Sequence, residues 1–309
     1  MIGDSLGAEL EFKSLAEIRR LFPNGVDRIL PAYGVRGAIT DDSQMTLFTL
    51  EGLLESRGQG MDERIAAVHR ALLRWLETQD RRATVEGGHR GLIQNPTLRH
   101  RRAPGNTCLS ALQEATRPGE PARNDSKGCG TIMRVAPVAF LAEPAEIREL
   151  AMRTSALTHG HPTGGWAAAF WAELIRRICD HPEGRGAFDL IVQDLSAEYG
   201  SIPGAEEVAI AVRRAMSYDT CQPEDMEGLG GGWTAETALA IALRACRCAR
   251  SLEHGLKLAV MHGGDSDSTG AIAGNLLGVM FSDEVFRHPW HAEVEGTEIL
   301  DGLLPPSRI

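Results

Sequence analysis

The sequence has no run of apolar residues that approaches the roughly 20 needed to span a membrane. It also has no excess of positive charge, because its 309 residues carry a formal net charge of −10. This charge argues against a broad basic surface for nucleic acid or an anionic membrane, so any bound phosphate must be held locally. The first residues, MIGDSLGAELEFKSL, contain no basic segment followed by an apolar one, and no targeting signal is predicted there.

Cysteine patterns typical of zinc sites or disulfide-rich proteins are also absent. The six cysteines are Cys108, Cys129, Cys179, Cys221, Cys246 and Cys248. They form no CxxC pair and no dense disulfide framework, which favours a reducing compartment. We therefore predict a cytoplasmic protein.

The period-two alternation of apolar and polar residues that is typical of strands is nearly absent. Apolar residues instead recur at three-and-four spacing, which indicates amphipathic helices. Segments of this kind lie at 43–56, 63–78, 145–159, 164–180, 205–217, 234–252 and 269–281. Short Gly/Pro-rich breaks lie at 181–188, 199–207 and 221–233, with no solenoid repeat and no long linker. With 43% hydrophobic residues to fill a core, we predict one compact all-α domain over residues 1–309.

Two aspartates, two positions apart, open the last predicted helix in the motif MHGGDSDSTGAIAG. Asp265 and Asp267 follow a Gly263–Gly264 pair that lets the backbone bend. One acid in the first turn of a helix is ordinary, because it faces unpaired N–H groups and the positive end of the helix dipole. Two acids with two hydroxyls exceed what capping requires.

A second acidic motif, GAITDDSQM, places Thr40, Asp41 and Asp42 directly before another amphipathic helix. Each motif alone is also consistent with helix capping. Together they provide four aspartates and two hydroxyls, the oxygen donors that hard divalent cations prefer, and two ions roughly 3.5–4 Å apart can share bridging carboxylates. We therefore predict a binuclear site for Mg²⁺, or alternatively Mn²⁺, rather than for zinc.

Two other interpretations of DSDSTG are weaker. The motif resembles the start of an EF-hand loop, but Leu276 stands where the bidentate glutamate belongs. It also matches the DxDxT signature of aspartyl-phosphate phosphatases, whose nucleophile lies at the tip of an early strand. Here the motif lies near the C-terminus of a helical chain, which argues against that chemistry.

Six motifs then occur in the order found in one known family: GDSLGAELEF, TDDSQM, SKGCGTIMRVAPV, LTHGHP, GGGWTAETALAIAL and GGDSDSTGAIAGNLLG. The chain resembles the ADP-ribosylglycohydrolases related to dinitrogenase reductase-activating glycohydrolase. The resemblance implies a compact all-α domain with two magnesium ions at its centre. The metal ligands that it implies are Thr40, Asp41, Asp42, Asp265, Asp267 and Ser268. Ser268 stands where Thr is usual.

The resemblance also implies catalytic and ligand-binding residues. Glu11 matches an acidic position near the catalytic centre, although the residues alone equally suggest a surface acid; with Asp41 and Asp267 it forms the expected catalytic set. The ADP-ribose contacts implied are Ser126, Gly128, Cys129, Gly130, His159 and Gly232. Here the Gly-rich segment would present backbone N–H groups at the start of a helical run to the diphosphate.

For several of these positions, a structural role remains an alternative to ligand binding. The Gly-rich segment could be a simple loop, His159 could be a helix cap, and Trp233 could line the pocket or belong to the core. Cys129 replaces an Asn that is common in relatives, which puts its polar contact in question. The Arg-rich stretch 99–106 is predicted to be a solvated loop rather than a phosphate site.

The function implied is magnesium-dependent hydrolysis of the glycosidic bond at C1″ of ADP-ribose, with protein arginine as the expected acceptor. The alternative is a non-catalytic protein that binds ADP-ribose or neutralises a toxin by occlusion. The sequence does not distinguish arginine from serine, a nucleic-acid base or a small molecule as acceptor, and it leaves the oligomeric state open. Relatives usually have a helix before GDALG, so this chain either starts late or lacks that helix.

Overall fold

A computed structural model describes residues 1–80 and 90–303, and within them the protein is a single all-α domain, as predicted. The first helices are α1 (Ile2–Gly7), α2 (Leu15–Leu21), α3 (Asp41–Glu55), α4 (Met61–Gln79), α5 (Asn106–Glu114), α6 (Ala136–Leu141), α7 (Ile147–Ser155), α8 (Pro162–Asp180) and α9 (Phe188–Gly200). They are followed by α10 (Glu206–Met216), α11 (Pro223–Leu229), α12 (Ala235–Cys248), α13 (Leu252–Ala259), α14 (Ser266–Met280), α15 (Ser282–Val285), α16 (Pro289–Glu293) and α17 (Glu298–Leu303). All seven predicted helical segments are confirmed.

Helix α14 lies in the interior, where it packs against α1, α3, α8, α12 and α13. Its contact with α1 is close because both helices have glycine at the crossing. A Cβ atom on Gly3 would lie 1.9 Å from the carbonyl oxygen of Gly270, and a Cβ on Gly270 would lie 2.3 Å from that of Gly3. The two glycines therefore let the first helix lie directly against the start of α14.

The structure differs from the sequence-based expectations in its short elements. A two-stranded antiparallel hairpin pairs β1 (Pro31–Ala32) with β2 (Val35–Arg36). Helix α11 lies within the predicted break at 221–233, where Pro223 occupies the first turn and Gly230 ends the helix with a positive φ. Proline is favoured in the first turn of a helix because the N–H groups there have no partner within the helix, so the N–H that proline lacks is not needed.

The described residues contain one disulfide, which the sequence analysis did not predict. Cys221 and Cys248 form a disulfide with Cα atoms 5.6 Å apart, which joins the segment before α11 to the end of α12. The other four cysteines are free. No helix in residues 1–80 or 90–303 is long and apolar enough to cross a membrane.

Candidate active site

The start of α3 is held by a residue from α1. The carboxylate of Asp4 accepts hydrogen bonds from the backbone N–H groups of Thr40 and Ser43, each at 3.1 Å. The hydroxyl of Thr40 also accepts from the N–H of Asp42 at 3.3 Å. Because free N–H groups at a helix start need acceptors, Asp4 and Thr40 together cap α3 and fix the direction of the two acids that follow.

Asp41 is anchored by the Arg-rich stretch that was predicted to be a solvated loop. Its N–H donates to the carbonyl of Arg102 at 3.0 Å, and its carboxylate accepts from the N–H of Gly105 at 3.2 Å. Arg102 is buried and forms an ion pair with Glu295 at 3.2 Å. The prediction was therefore wrong for this part of the stretch, which supports the acidic centre.

The start of α14 lies opposite the start of α3. Gly264, with φ of 139°, lets Asp265 donate its N–H to the carbonyl of Gly231 at 2.8 Å. The hydroxyl of Ser268 then donates to Asp42 Oδ2 at 3.3 Å. The two acidic motifs identified in the sequence thus meet in space, and one hydrogen bond joins their helices.

Glu11 lies in the turn after α1 and completes this group of acids. One carboxylate oxygen from each of Glu11, Asp265 and Asp267 lies within 4.8 Å of the others. Burial and the neighbouring charges of Asp265 and Asp4 raise the pKa of Glu11 to about 7. The structure therefore agrees with the interpretation of Glu11 as an acid near the centre and not with that of a surface acid away from it.

The four aspartates of the two motifs are buried and crowd together. Burial first, and neighbouring carboxylates second, raise the pKa values of Asp42 and Asp267 well above their usual range. Asp42 Oδ1 and Asp267 Oδ1 are buried without a hydrogen-bond partner among the described residues. Because buried acceptors without partners are costly, these oxygens fit the ligand set of a divalent cation.

A cavity of about 210 Å³ opens onto these acids. Its lining includes Glu11, Asp41, Asp42, Cys108, Gly128, Cys129, Gly130, His159, Trp233, Asp265, Asp267 and Ser268. Three predicted site residues lie elsewhere. Thr40 is buried as the cap of α3, Ser126 lines a neighbouring cavity of about 460 Å³, and Gly232 is packed with its α-carbon facing Thr269 and Asp265.

The Gly-rich segment forms a short 3-10 helix, Cys129–Thr131, and the longer helix α6 starts only at Ala136. The N–H of Cys129 donates to the carbonyl of Trp233 at 3.1 Å, and Gly128 forms a β-bridge with Thr234. The prediction of a helix start with free N–H groups was therefore wrong for Cys129. The segment is instead tied to the residues before α12.

His159 is buried at the cavity and does not cap a helix. Its Nδ1 lies 2.8 Å from the hydroxyl of Thr158, while Nε2 is directed towards Gly128, where a Cβ atom would come within 3.0 Å. Burial and, to a lesser degree, Arg134 lower its pKa to about 3, so the imidazole is neutral. The helix cap is its neighbour His161, whose Nδ1 accepts from Thr163 N–H at 3.2 Å.

Two further positions left open by the sequence are resolved. The Cys129 thiol donates to Asp265 Oδ2 at 2.9 Å, which is the polar contact that was in question. The Trp233 side chain is 43% exposed and its ring stacks on Phe12 at a centroid distance of 5.0 Å. Trp233 is therefore a wall of the cavity and not a core residue.

The sequence matches the ADP-ribosylglycohydrolase family over residues 1–305. The chain belongs to this family. It is 24% identical over 303 residues to ADP-ribosyl-[dinitrogen reductase] glycohydrolase of Rhodospirillum rubrum, a match that covers 95% of this chain and 87% of that protein. The solved structure of an ADP-ribosylglycohydrolase-related protein complex has a similar fold, with a TM-score of 0.71 and 24% identity over 98% of this chain and 91% of that one.

As an ADP-ribosylglycohydrolase, the protein is a hydrolase of glycosidic bonds that removes ADP-ribose from an acceptor. Sequence reasoning missed two residues that shape its centre. Asp4 lies within the quoted motif GDSLG, but its partners are 36 and 39 positions away. Gly105 contacts Asp41 across 64 positions. No periodic pattern in GDSLG marks Asp4 as buried, so the sequence carried no local signal for this residue.

Proposed function

We propose that this glycohydrolase uses two Mg²⁺ ions, or alternatively Mn²⁺, to release ADP-ribose from modified arginine on a protein. The observation that carries the proposal is the pair of buried, unpartnered oxygens, Asp42 Oδ1 and Asp267 Oδ1, at two facing helix starts. The hydrogen bond from Ser268 to Asp42 joins these starts. The ligands would be Thr40, Asp41, Asp42, Asp265, Asp267 and Ser268, with Thr40 contributing as the cap that orients the others.

Bound cations would neutralise the carboxylates, orient the hydroxyls of the distal ribose and favour ionisation of the attacking water. Cleavage develops positive, oxocarbenium-like charge at C1″, which a carboxylate that does not bind a cation would stabilise. Glu11 lies beside Asp265 and Asp267 at the cavity. We assign it the proton transfer, with Asp41 and Asp267 as the other catalytic acids.

The remainder of ADP-ribose would extend along the cavity wall. Gly128, Gly130 and the neutral His159 line the cavity beside the acids. Ser126 lies in the adjoining cavity, which shares Asn106 and Thr107 with the first. The first cavity would hold the ribose at its carboxylates, and the adjoining cavity, whose polar lining includes Ser126, Arg101 and Asp80, would hold the part of the ligand beyond it.

A release assay tests the proposal. Proteins ADP-ribosylated on arginine or serine, a modified nucleic-acid base and a small-molecule acceptor would be incubated with the enzyme in Mg²⁺, Mn²⁺ or EDTA. We expect magnesium-dependent release from arginine. If the protein binds ADP-ribose but releases none from any acceptor, the non-catalytic alternative is correct.

A cytoplasmic location is also part of the proposal. Its support is the use of cysteine, since four of the six cysteines are free thiols. The Cys221–Cys248 disulfide weighs against it. Fractionation of cells that express the full chain would separate the two possibilities.

A further inference from the structure

The thiol of Cys129 lies within the acidic centre. The Cys129 thiol lies 2.9 Å from Asp265 Oδ2 and 3.5 Å from the hydroxyl oxygen of Ser268. Both partners belong to the ligand set proposed above, and all three side chains line the same cavity. The backbone of Cys129 is fixed by its hydrogen bond to Trp233, so the thiol is held beside these oxygens.

A second observation points to a cation at the same place and does not involve the sulfur. Asp42 Oδ1 and Asp267 Oδ1 are each buried without a hydrogen-bond partner in the described part of the chain. The Ser268 hydroxyl, which contacts Cys129, also contacts the Oδ2 atom of Asp42. The Ser268 hydroxyl therefore links the thiol to the carboxylate of Asp42, whose other oxygen, Oδ1, lacks a partner.

We propose that Cys129 gives this centre a soft donor, so that a thiophilic divalent cation such as Cd²⁺ or Zn²⁺ binds through Cys129 Sγ together with Asp265 and Ser268. The inference rests on the proposed function only in taking the same acids as the metal site. Thiolate ligands select softer cations than an all-oxygen site does. A cation held in this way occupies the ligands that Mg²⁺ needs and excludes it.

The observed spacing suits this coordination. For a four-coordinate ion with bonds of about 2.3 Å to sulfur and 2.0 Å to oxygen, the sulfur and oxygen ligands lie about 3.5 Å apart. The distance from Sγ to Ser268 is 3.5 Å, and the distance to Asp265 is the shorter 2.9 Å of a hydrogen bond. When the ion binds, the thiol proton passes to the buffer, a sulfur lone pair goes to the ion, and Asp265 Oδ2 is released to bind it as well.

The experiment titrates metal-free protein with CdCl₂ and follows the thiolate-to-cadmium charge-transfer band in the ultraviolet. It uses full-length Cys179→Ser protein, because Cys179 is the exposed free thiol. We expect a saturable band, which Cys129→Asn in the same background removes while lowering Cd²⁺ affinity by about tenfold or more. Cys108 also lines the cavity, so Cys108→Ser is the matched control and keeps the band.

A band that persists in Cys129→Asn, or one that disappears in Cys108→Ser, overturns the inference. Circular dichroism verifies the fold, and Cys129→Ser replaces Cys129→Asn if the amide perturbs packing. Magnesium calorimetry with Cd²⁺ present should show Mg²⁺ binding suppressed in the parent and restored in Cys129→Asn. A Cys129-dependent band in a protein that releases no ADP-ribose rejects the proposed function alone, whereas release without such a band rejects only this inference.

Discussion

The hydroxyl of Ser268 lies 3.3 Å from Asp42 Oδ2, although the two residues are 226 positions apart. This contact joins the starts of α3 and α14, each of which brings two buried aspartates. Burial and the neighbouring carboxylates raise the pKa values of Asp42 and Asp267, a cost that helix capping alone does not require.

The first prediction concerns the ligand carboxylates. Asp267→Asn removes a ligand charge, so ADP-ribose release should fall more than about tenfold while helical content is unchanged. In EDTA the variant should melt at a higher temperature than the wild type, because one of four crowded charges is gone. Asp283→Asn, an exposed change in the first turn of α15, is the control. Activity near the wild-type level in Asp267→Asn would exclude it as a metal ligand.

The second prediction concerns metal removal. EDTA leaves the four aspartates crowded, so it should lower the melting temperature, and Mg²⁺ should restore it in a concentration-dependent way. At a hundred times the dissociation constant, the gain is about 2.7 kcal/mol for one site. KCl at matched ionic strength controls for screening. If neither EDTA nor Mg²⁺ changes the melting temperature, the acidic motifs serve only as helix caps.

The third prediction separates catalysis from binding at Glu11. Glu11→Gln keeps the side-chain shape and removes its proton-accepting ability. Release of ADP-ribose should fall by roughly 10²–10⁴, whereas ADP-ribose affinity in saturating Mg²⁺, measured by calorimetry, should change less than about tenfold. Glu9→Gln, a partly exposed neighbour paired with Lys13, should behave like the wild type. Equal losses of binding and turnover would make Glu11 a ligand-holding residue.

The fourth prediction concerns the cap that Asp4 provides to α3. Asp4→Ala leaves the N–H groups of Thr40 and Ser43 without their acceptor, whereas Asp4→Asn keeps a side-chain oxygen. We expect the alanine variant to be less stable than the asparagine variant by about 1–2 kcal/mol in urea unfolding. Its Mg²⁺ affinity should also be lower, because the aspartates after Thr40 lose their fixed direction. Equal stability of the two variants would show that the cap contributes little.

The fifth prediction concerns pH. His69 is buried, its Nδ1 accepts from Gly119 N–H at 2.9 Å, and burial lowers its pKa to about 4. The unfolded chain binds this proton near pH 6.5 and the folded protein near pH 4, so unfolding takes up a proton between those values. The free energy of unfolding should therefore fall as the pH drops through this window, by about 3 kcal/mol at pH 4.

The matched variant for that measurement is His69→Asn, whose side-chain oxygen can accept the same hydrogen bond. Urea unfolding of both proteins at fixed Mg²⁺ isolates the histidine, because the aspartates contribute equally to each. The variant should lose less stability than the wild type on acidification. The same pH dependence in both proteins would contradict the pKa assigned to His69.

Much of the fold could be predicted because the long helices carry their own pattern. Helices α4, α7 and α10 each bury one face, and the three-and-four spacing of apolar residues shows it. Helix α11 could not be predicted in this way, since its seven residues, which begin with Pro223 and end before Gly230, are too few to show a helical period. In α1 nearly every residue is buried, so no polar face remains to mark a helical period.

In the candidate site too, some residues could be located from local sequence and others depend on tertiary packing. The two aspartate pairs could be located because local sequence places them at helix starts. The support from Arg102, the cap from Asp4 and the contact of Cys129 with Asp265 depend on tertiary packing across 36 to 193 positions. Local propensity carries no information on such partners.

The contact between Gly3 and Gly270 also determines when, during synthesis, helix α1 can pack into the fold. Helix α1 leaves the ribosome before α14, but the surface against which α1 packs belongs to α14. A nascent chain that ends before α14 holds Asp41 and Asp42 without Asp265 and Asp267. The acidic centre is therefore assembled only after α14 has been synthesised, and until then α1 lacks the helix with which it makes its closest contact.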